Sequence, residues 1–128
     1  MKPIAAGQRF THNVRPQPSD LASAIGNAGV HVVSTPAIIG YLETTAHLLL
    51  QRAYDAGEAS VGTRVNVEHL AAATLDNELV CHAELKKHDG NSCDFSVSAY
   101  QNDKLIMRGE HSRRIVDLDR FIARIAER

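Results

Sequence analysis

Three residues in the first half of the chain carry groups that could do chemistry together: the hydroxyl of Thr35, the carboxylate of Glu43 and the imidazole of His69. An imidazole can take a proton from a hydroxyl or from water, and a carboxylate beside it fixes its tautomer and raises its basicity. Each also has a plainer reading. Thr35 precedes Pro36, the pattern of a helix N-cap followed by proline at the first helical position. Glu43 stands four residues before His47, a common pairing across one turn of a helix surface, and His69 could be a hydrogen-bonded core histidine.

Which reading holds depends on the elements that carry these residues. From Pro36 to about Ala56 the apolar residues Ile39, Leu42, Ala46, Leu49, Leu50 and Ala53 recur at steps of three and four, and Gly57 follows as a stop signal. This spacing predicts one long amphipathic helix. At about 100° per residue the stripe centres near −30° from Ile39, with Thr35 at about −40° and Glu43 at about +40°. Thr35 is thus expected near the middle of the buried stripe and Glu43 at its margin, where a carboxylate needs a partner. In "SVGTRVNVEHL" (60–70) strict alternation sets Val61, Thr63, Val65, Val67 and His69 on one face, so His69 is expected to extend the row that faces the helix. His47 and a residue delivered by the sheet are the candidate partners of Glu43.

The rest of the chain completes one α+β domain over 1–128. "GQRFTHNV" (7–14) reads as a first strand, broken by the two prolines of "RPQPSD", and "LASAIGNAGVHVV" (21–33) as a short helix or a flap. "ELVCHAELKKH" (78–88), "SCDFSVSAYQ" (92–101) and "KLIMRGEHSRRIV" (104–116) follow as alternating strands, with tight turns expected at Asp89-Gly90 and Asn102-Asp103. "DLDRFIARIAER" predicts a short terminal helix capped by Asp117, with Leu118, Phe121, Ile122 and Ile125 on one side. One long helix and a curved antiparallel sheet wrapped around it is the hot-dog shape. A single such sheet leaves a face and an edge open, so a homodimer with a continuous sheet is expected. A dimer of dimers is the open alternative.

Composition excludes several classes. The net charge is −1, with no lysine or arginine run to track phosphates, so nucleic acid is not an expected partner. "MKPIAAGQRF" lacks the apolar stretch of a signal peptide and no window approaches a membrane span, which makes the cytoplasm the expected location and a membrane an unexpected partner. The 7 histidines are scattered, without HxH, HExxH or CxxC spacing, so no metal is expected. A hairpin centred on Asp89-Gly90 would set Cys93 opposite Lys86 rather than Cys81, which predicts free thiols.

Taken together, "GQRFTHNV", "STPAIIGYLE", "SVGTRVNVEHLAAAT" and "GEHSRRIV" resemble, in order, the landmarks of the fluoroacetyl-coenzyme A thioesterase family of hot-dog proteins, over nearly the whole chain. The resemblance rests on a threonine at the helix head, a glutamate eight residues on and a histidine 26 residues beyond that, which fall here on Thr35, Glu43 and His69. It implies hydrolysis of an acyl-coenzyme A without a cofactor, Thr35, Glu43 and His69 acting together, and it places Gly62 and Arg113 at the substrate. Thr35 would either attack the carbonyl or hold it while His69 and Glu43 activate water. The family's phenylalanine-bearing lid matches "DLASAIGNAGVHVV", which has no aromatic residue, so a short-chain or generic acyl group is expected rather than fluoroacetyl. Two other readings of such a chain are a hot-dog module that binds an acyl-coenzyme A without turning it over and a dehydratase acting on acyl thioesters.

Overall fold

The computed structural model describes all 128 residues. Five strands form one antiparallel sheet: β1 (Arg9–Val14), β2 (Glu58–His69), β3 (Leu79–Asp89), β4 (Ser92–Gln101) and β5 (Lys104–Asp117), in the order β1-β3-β4-β5-β2. The long helix α1 (Thr35–Gln51) lies across it, and a short helix α2 (Leu118–Ala126) follows β5. The curved sheet around one helix is the hot-dog arrangement.

Helix α1 begins one residue earlier than its proline suggests, and its cap is Ser34. The Ser34 hydroxyl accepts from the Ala37 amide at 3.1 Å, which leaves Thr35 as the first helical residue with its own hydroxyl free of capping. The helix stops at Gln51 rather than near Ala56, because the Ala53 amide closes onto the Leu50 carbonyl at 2.8 Å and the Asp55 amide turns to Glu58. Its buried residues are Ile38, Leu42, Thr45, Ala46, Leu49 and Leu50, so Ile38, not Ile39, anchors the N-terminal end of the stripe, and Thr35, expected near the stripe's middle, is exposed at the helix head where no further turn covers it. The buried apolar ones meet Leu79, Cys81, Ala83 and Leu85 of β3, Phe95, Val97 and Ala99 of β4 and Met107 of β5 in one core. Each large aliphatic buried there contributes roughly 1.5–3 kcal/mol.

Both later hairpins are tight. Asn102 and Asp103 have φ of 51° and 64°, as a type I′ turn requires, and join Gln101 to Lys104. The turn between β3 and β4 is Gly90-Asn91 rather than Asp89-Gly90: Asp89 pairs with Ser92, and Gly90 takes the positive φ at the first central position, the type II′ pattern. Cys93 therefore opposes His88 and Cys81 opposes Ala99. The two thiols are free and buried, as the earlier register also implied.

Strand β2 departs from strict alternation. Gly62 pairs with Arg113 and Arg64 with Ser112, so Thr63 is an extra residue, a β-bulge. Beyond it Val65 and Val67 line the gap under Ile39 and Leu42, as alternation predicted. Before it the phase is reversed: Ser60 and Gly62, not Val61 and Thr63, turn toward α1, where they meet Arg113 and Glu43.

Residues 18–33 fold as two short 3-10 turns, Pro18–Asp20 and Ala22–Ile25, closed by a bridge between Leu21 and Val33. This segment runs directly into the head of α1. Asp20 ties it down, accepting from Tyr41 at 2.6 Å and from the Gln17 amide at 2.9 Å.

Candidate active site

Two clusters of candidate side chains lie between α1 and β2, one toward each end of the strand. At the C-terminal end Thr35 Oγ1 and His69 Nδ1 are 2.7 Å apart, joining the first residue of α1 to the last of β2. With the hydroxyl donating, Nδ1 is the acceptor and the ring proton sits on Nε2, which has no partner within the chain. Proline at 36 has no N–H and the Ala37 amide is taken by Ser34, so the Thr35 amide is the free donor at this helix end.

At the other end Glu43 meets Arg113 rather than His69 or His47. Glu43 Oε2 lies 3.4 Å from Arg113 Nη1 and 4.0 Å from His111 Nε2. Arg113 is buried and held by Ser60 through two bonds, Nε to the hydroxyl at 2.9 Å and Nη2 to the carbonyl at 3.0 Å. The same Ser60 hydroxyl accepts from Tyr54 at 2.5 Å, and Tyr54 in turn accepts from His47 at 3.1 Å. His47 thus supports the arginine's anchor. Burial and, after it, the Arg113 charge hold the His47 pKa below its ordinary value, which favours the neutral ring.

Gly62 belongs to this second cluster for a steric reason. A Cβ there would fall well inside contact distance of Glu43 Oε2 and 3.2 Å from His111 Cε1. Glycine here leaves the carboxylate in place, whereas any side chain would push it aside. Glu43, Thr44, His47, Ser60 and Arg113 together line an open polar hollow of about 470 Å³.

Of the five residues expected at a site, Thr35 is therefore with His69, and Glu43 is with Gly62 and Arg113. Glu43 is eight helical steps from Thr35, roughly 12 Å along the axis. Within one chain the carboxylate does not reach the imidazole it was expected to orient. His111 was missed by sequence reasoning, although it alternates with Arg113 on β5 and so shares its face. The cysteines are not candidates for nucleophilic work: burial pushes Cys81 up to about 12 and Cys93 to about 11. No group of three His, Cys, Asp or Glu side chains is disposed to hold a metal ion, and no helix is long and apolar enough to cross a membrane.

Comparison with known proteins gives this geometry its context. Residues 17–119 match the family model described as FlK, fluoroacetyl-CoA-specific thioesterase. The fluoroacetyl-CoA thioesterase of Streptantibioticus cattleyicolor is 25% identical over 131 residues, spanning 98% of this chain and 94% of that protein. A solved structure of the fluoroacetyl-CoA thioesterase FlK superposes with a TM-score of 0.91 at 25% identity, covering 99% of this chain and 98% of its own. A Thermus thermophilus hypothetical protein of the thioesterase superfamily shares the fold at a TM-score of 0.89 and 23% identity, over 99% of this chain and 94% of that one. With the family model spanning most of the domain and the same fold throughout, the chain belongs to the fluoroacetyl-CoA-specific thioesterase family, and is a thioester hydrolase of the hot-dog fold.

Proposed function

We propose that this protein hydrolyses short-chain acyl-coenzyme A thioesters, with Thr35 and His69 of one copy and Glu43, Gly62 and Arg113 of a second copy forming each site. The observation that carries the reading is the 2.7 Å contact between Thr35 Oγ1 and His69 Nδ1. Threonine is a weak nucleophile unless a base is in hydrogen-bond reach, and here the base is already there. His69 takes the hydroxyl proton as Oγ1 attacks the thioester carbon. The developing oxyanion meets the free Thr35 amide at the helix N-terminus, and the thiolate leaves and is protonated. Water, activated by the same imidazole, then cleaves the acyl ester to give the free acid.

The second copy answers where the carboxylate comes from. β2 is an edge strand, and Val65 in its middle is 42% exposed. Antiparallel pairing of two β2 edges about a two-fold axis near Asn66, with Thr63 again the extra residue, sets Gly62 of one copy opposite His69 of the other. Both then point toward the helices, which an unbulged strand would not allow. Glu43 above Gly62 could then accept from the Nε2–H of His69. The acyl group is inferred to be small but not specifically fluorinated, since residues 20–33 before the helix have no aromatic side chain to sense fluorine.

The experiment is release of free thiol from a panel of acyl-coenzyme A esters, followed by mixing of inactive variants. His69→Ala should cut release by about 10²- to 10⁴-fold. Mixed Thr35→Ala and Glu43→Gln chains should recover roughly a quarter of the wild-type rate, because half of the random dimers are mixed and each of these has one intact site. No recovery would place the whole site within one chain, and a fluoroacetyl ester preferred over all others would overturn the acyl assignment. A burst of thiol, or an acyl group trapped by hydroxylamine, supports the covalent route; a Thr35→Ala variant that is only slightly slowed points instead to direct attack by water.

A further inference from the structure

We propose that His111 is a positioning residue for Arg113: a buried neutral imidazole, locked as one tautomer, that aims the guanidinium at Glu43 and clamps the β2 bulge. The inference rests on the reading above that Glu43 and Arg113 belong to the site.

The tautomer follows from donor counting. Arg113 Nη1 lies 3.2 Å from His111 Nε2, and a guanidinium has only donors, so Nε2 must present its lone pair. The ring proton is then on Nδ1, which is 2.9 Å from the carbonyl oxygen of Arg64 and donates to it. Arg64 is the residue that resumes pairing after the Thr63 bulge, so this bond fixes the carbonyl where the strand changes phase. Phe95 of β4 lies against the ring with centroids 6.3 Å apart and planes at 27°. His111 is 2% exposed and cannot turn to find other partners.

The polar groups facing the ring come from three elements and pull in opposite directions. Arg113 stands beside it on β5, the Arg64 carbonyl comes from β2, and Glu43 from α1 supplies the one nearby anion, its Oε2 4.0 Å from Nε2. A second ring proton would remove the acceptor used by Arg113 and set cation against cation. Burial first, and the Arg113 charge with it, hold the ring's pKa below its ordinary value, against the raising effects of Arg64 and Glu43. With Ser60 holding Nε and Nη2, His111 engages Nη1 and leaves its remaining N–H for Glu43.

Two substitutions separate the halves of this role. His111→Gln can present an acceptor near the Nε2 position, whereas His111→Asn can keep a donor near Nδ1 but not the acceptor for Arg113. Expected is a fall in kcat on the order of 10- to 100-fold for His111→Asn, the usual range for outer partners of a site, with most activity kept by His111→Gln. In an Arg113→Lys background the His111→Asn penalty should vanish, which a merely structural loss would not do. Nitrogen-15 spectra of the wild type should show His111 protonated at Nδ1 alone, and a protected Arg113 Nη1 signal that His111→Asn loses and His111→Gln keeps. These spectra decide the lock even if no thioester is hydrolysed, which would count against the proposed function instead. An Nε2–H tautomer, an unchanged Arg113 signal in His111→Asn, or a penalty that persists in Arg113→Lys would overturn the inference.

Discussion

Whether Thr35 is a cap or a reactive group turns on a single neighbour. Ser34 takes the Ala37 amide, and that frees the Thr35 hydroxyl for His69. Stability and activity should therefore come apart at adjacent positions. Ser34→Ala is expected to lower unfolding free energy by about 1 kcal/mol, whereas Thr35→Ala should unfold at nearly the wild-type denaturant concentration while losing thiol release. His69→Ala should lose about 10²- to 10⁴-fold in kcat, the usual contribution of a positioned base. Gly62→Ala tests the other cluster. Its methyl must displace the Glu43 carboxylate, so activity should fall sharply with little change in the unfolding midpoint, measured on the same sample.

At the scale of elements, the sequence was legible where one physical rule acted alone. The helix followed from its apolar period, the Asn102-Asp103 turn from two residues that tolerate positive φ, and the α2 cap from Asp117, which accepts from the Arg120 amide at 3.0 Å. Reading failed where two rules competed. Serine and threonine both cap, and only the backbone geometry before Pro36 decides between Ser34 and Thr35. Asp89-Gly90 and Gly90-Asn91 are both credible turns, and the positive φ of Gly90 at the first central position selects the second. His69 was placed correctly because it lies beyond the bulge, whereas Val61 and Thr63 were placed on the wrong face because they do not. An isolated glycine inside a strand pattern, Gly62, was the available sign. The segment ahead of α1 gives a further test: Asp20→Asn keeps the shape but weakens the acceptor for Tyr41, whose pKa burial and then Asp20 drive upward. Faster amide exchange across residues 18–33, with α1 unchanged, is the expected result.

For the molecule as a whole, the buried imidazoles set how stability responds to acid. His111 and His47 both have folded pKa values below the unfolded one, so in the window below the ordinary histidine value the unfolded chain binds more protons. Their contribution is complete above that value and is lost as pH falls through it. Denaturant midpoints should decline from about pH 7 toward pH 5, and His111→Gln should flatten the decline. The single extra residue at Thr63 has a last consequence, in terms of insertion and deletion. β2 carries two reading frames, one that turns Ser60 and Gly62 toward the helix and one that does the same for Val65, Val67 and His69. Excising Thr63 merges the frames, and whichever end keeps its register, the other turns its side of the site to solvent. A one-residue deletion that removes no functional group is therefore expected to silence the enzyme as completely as removal of His69, while a replacement of Thr63 by serine or alanine leaves it working.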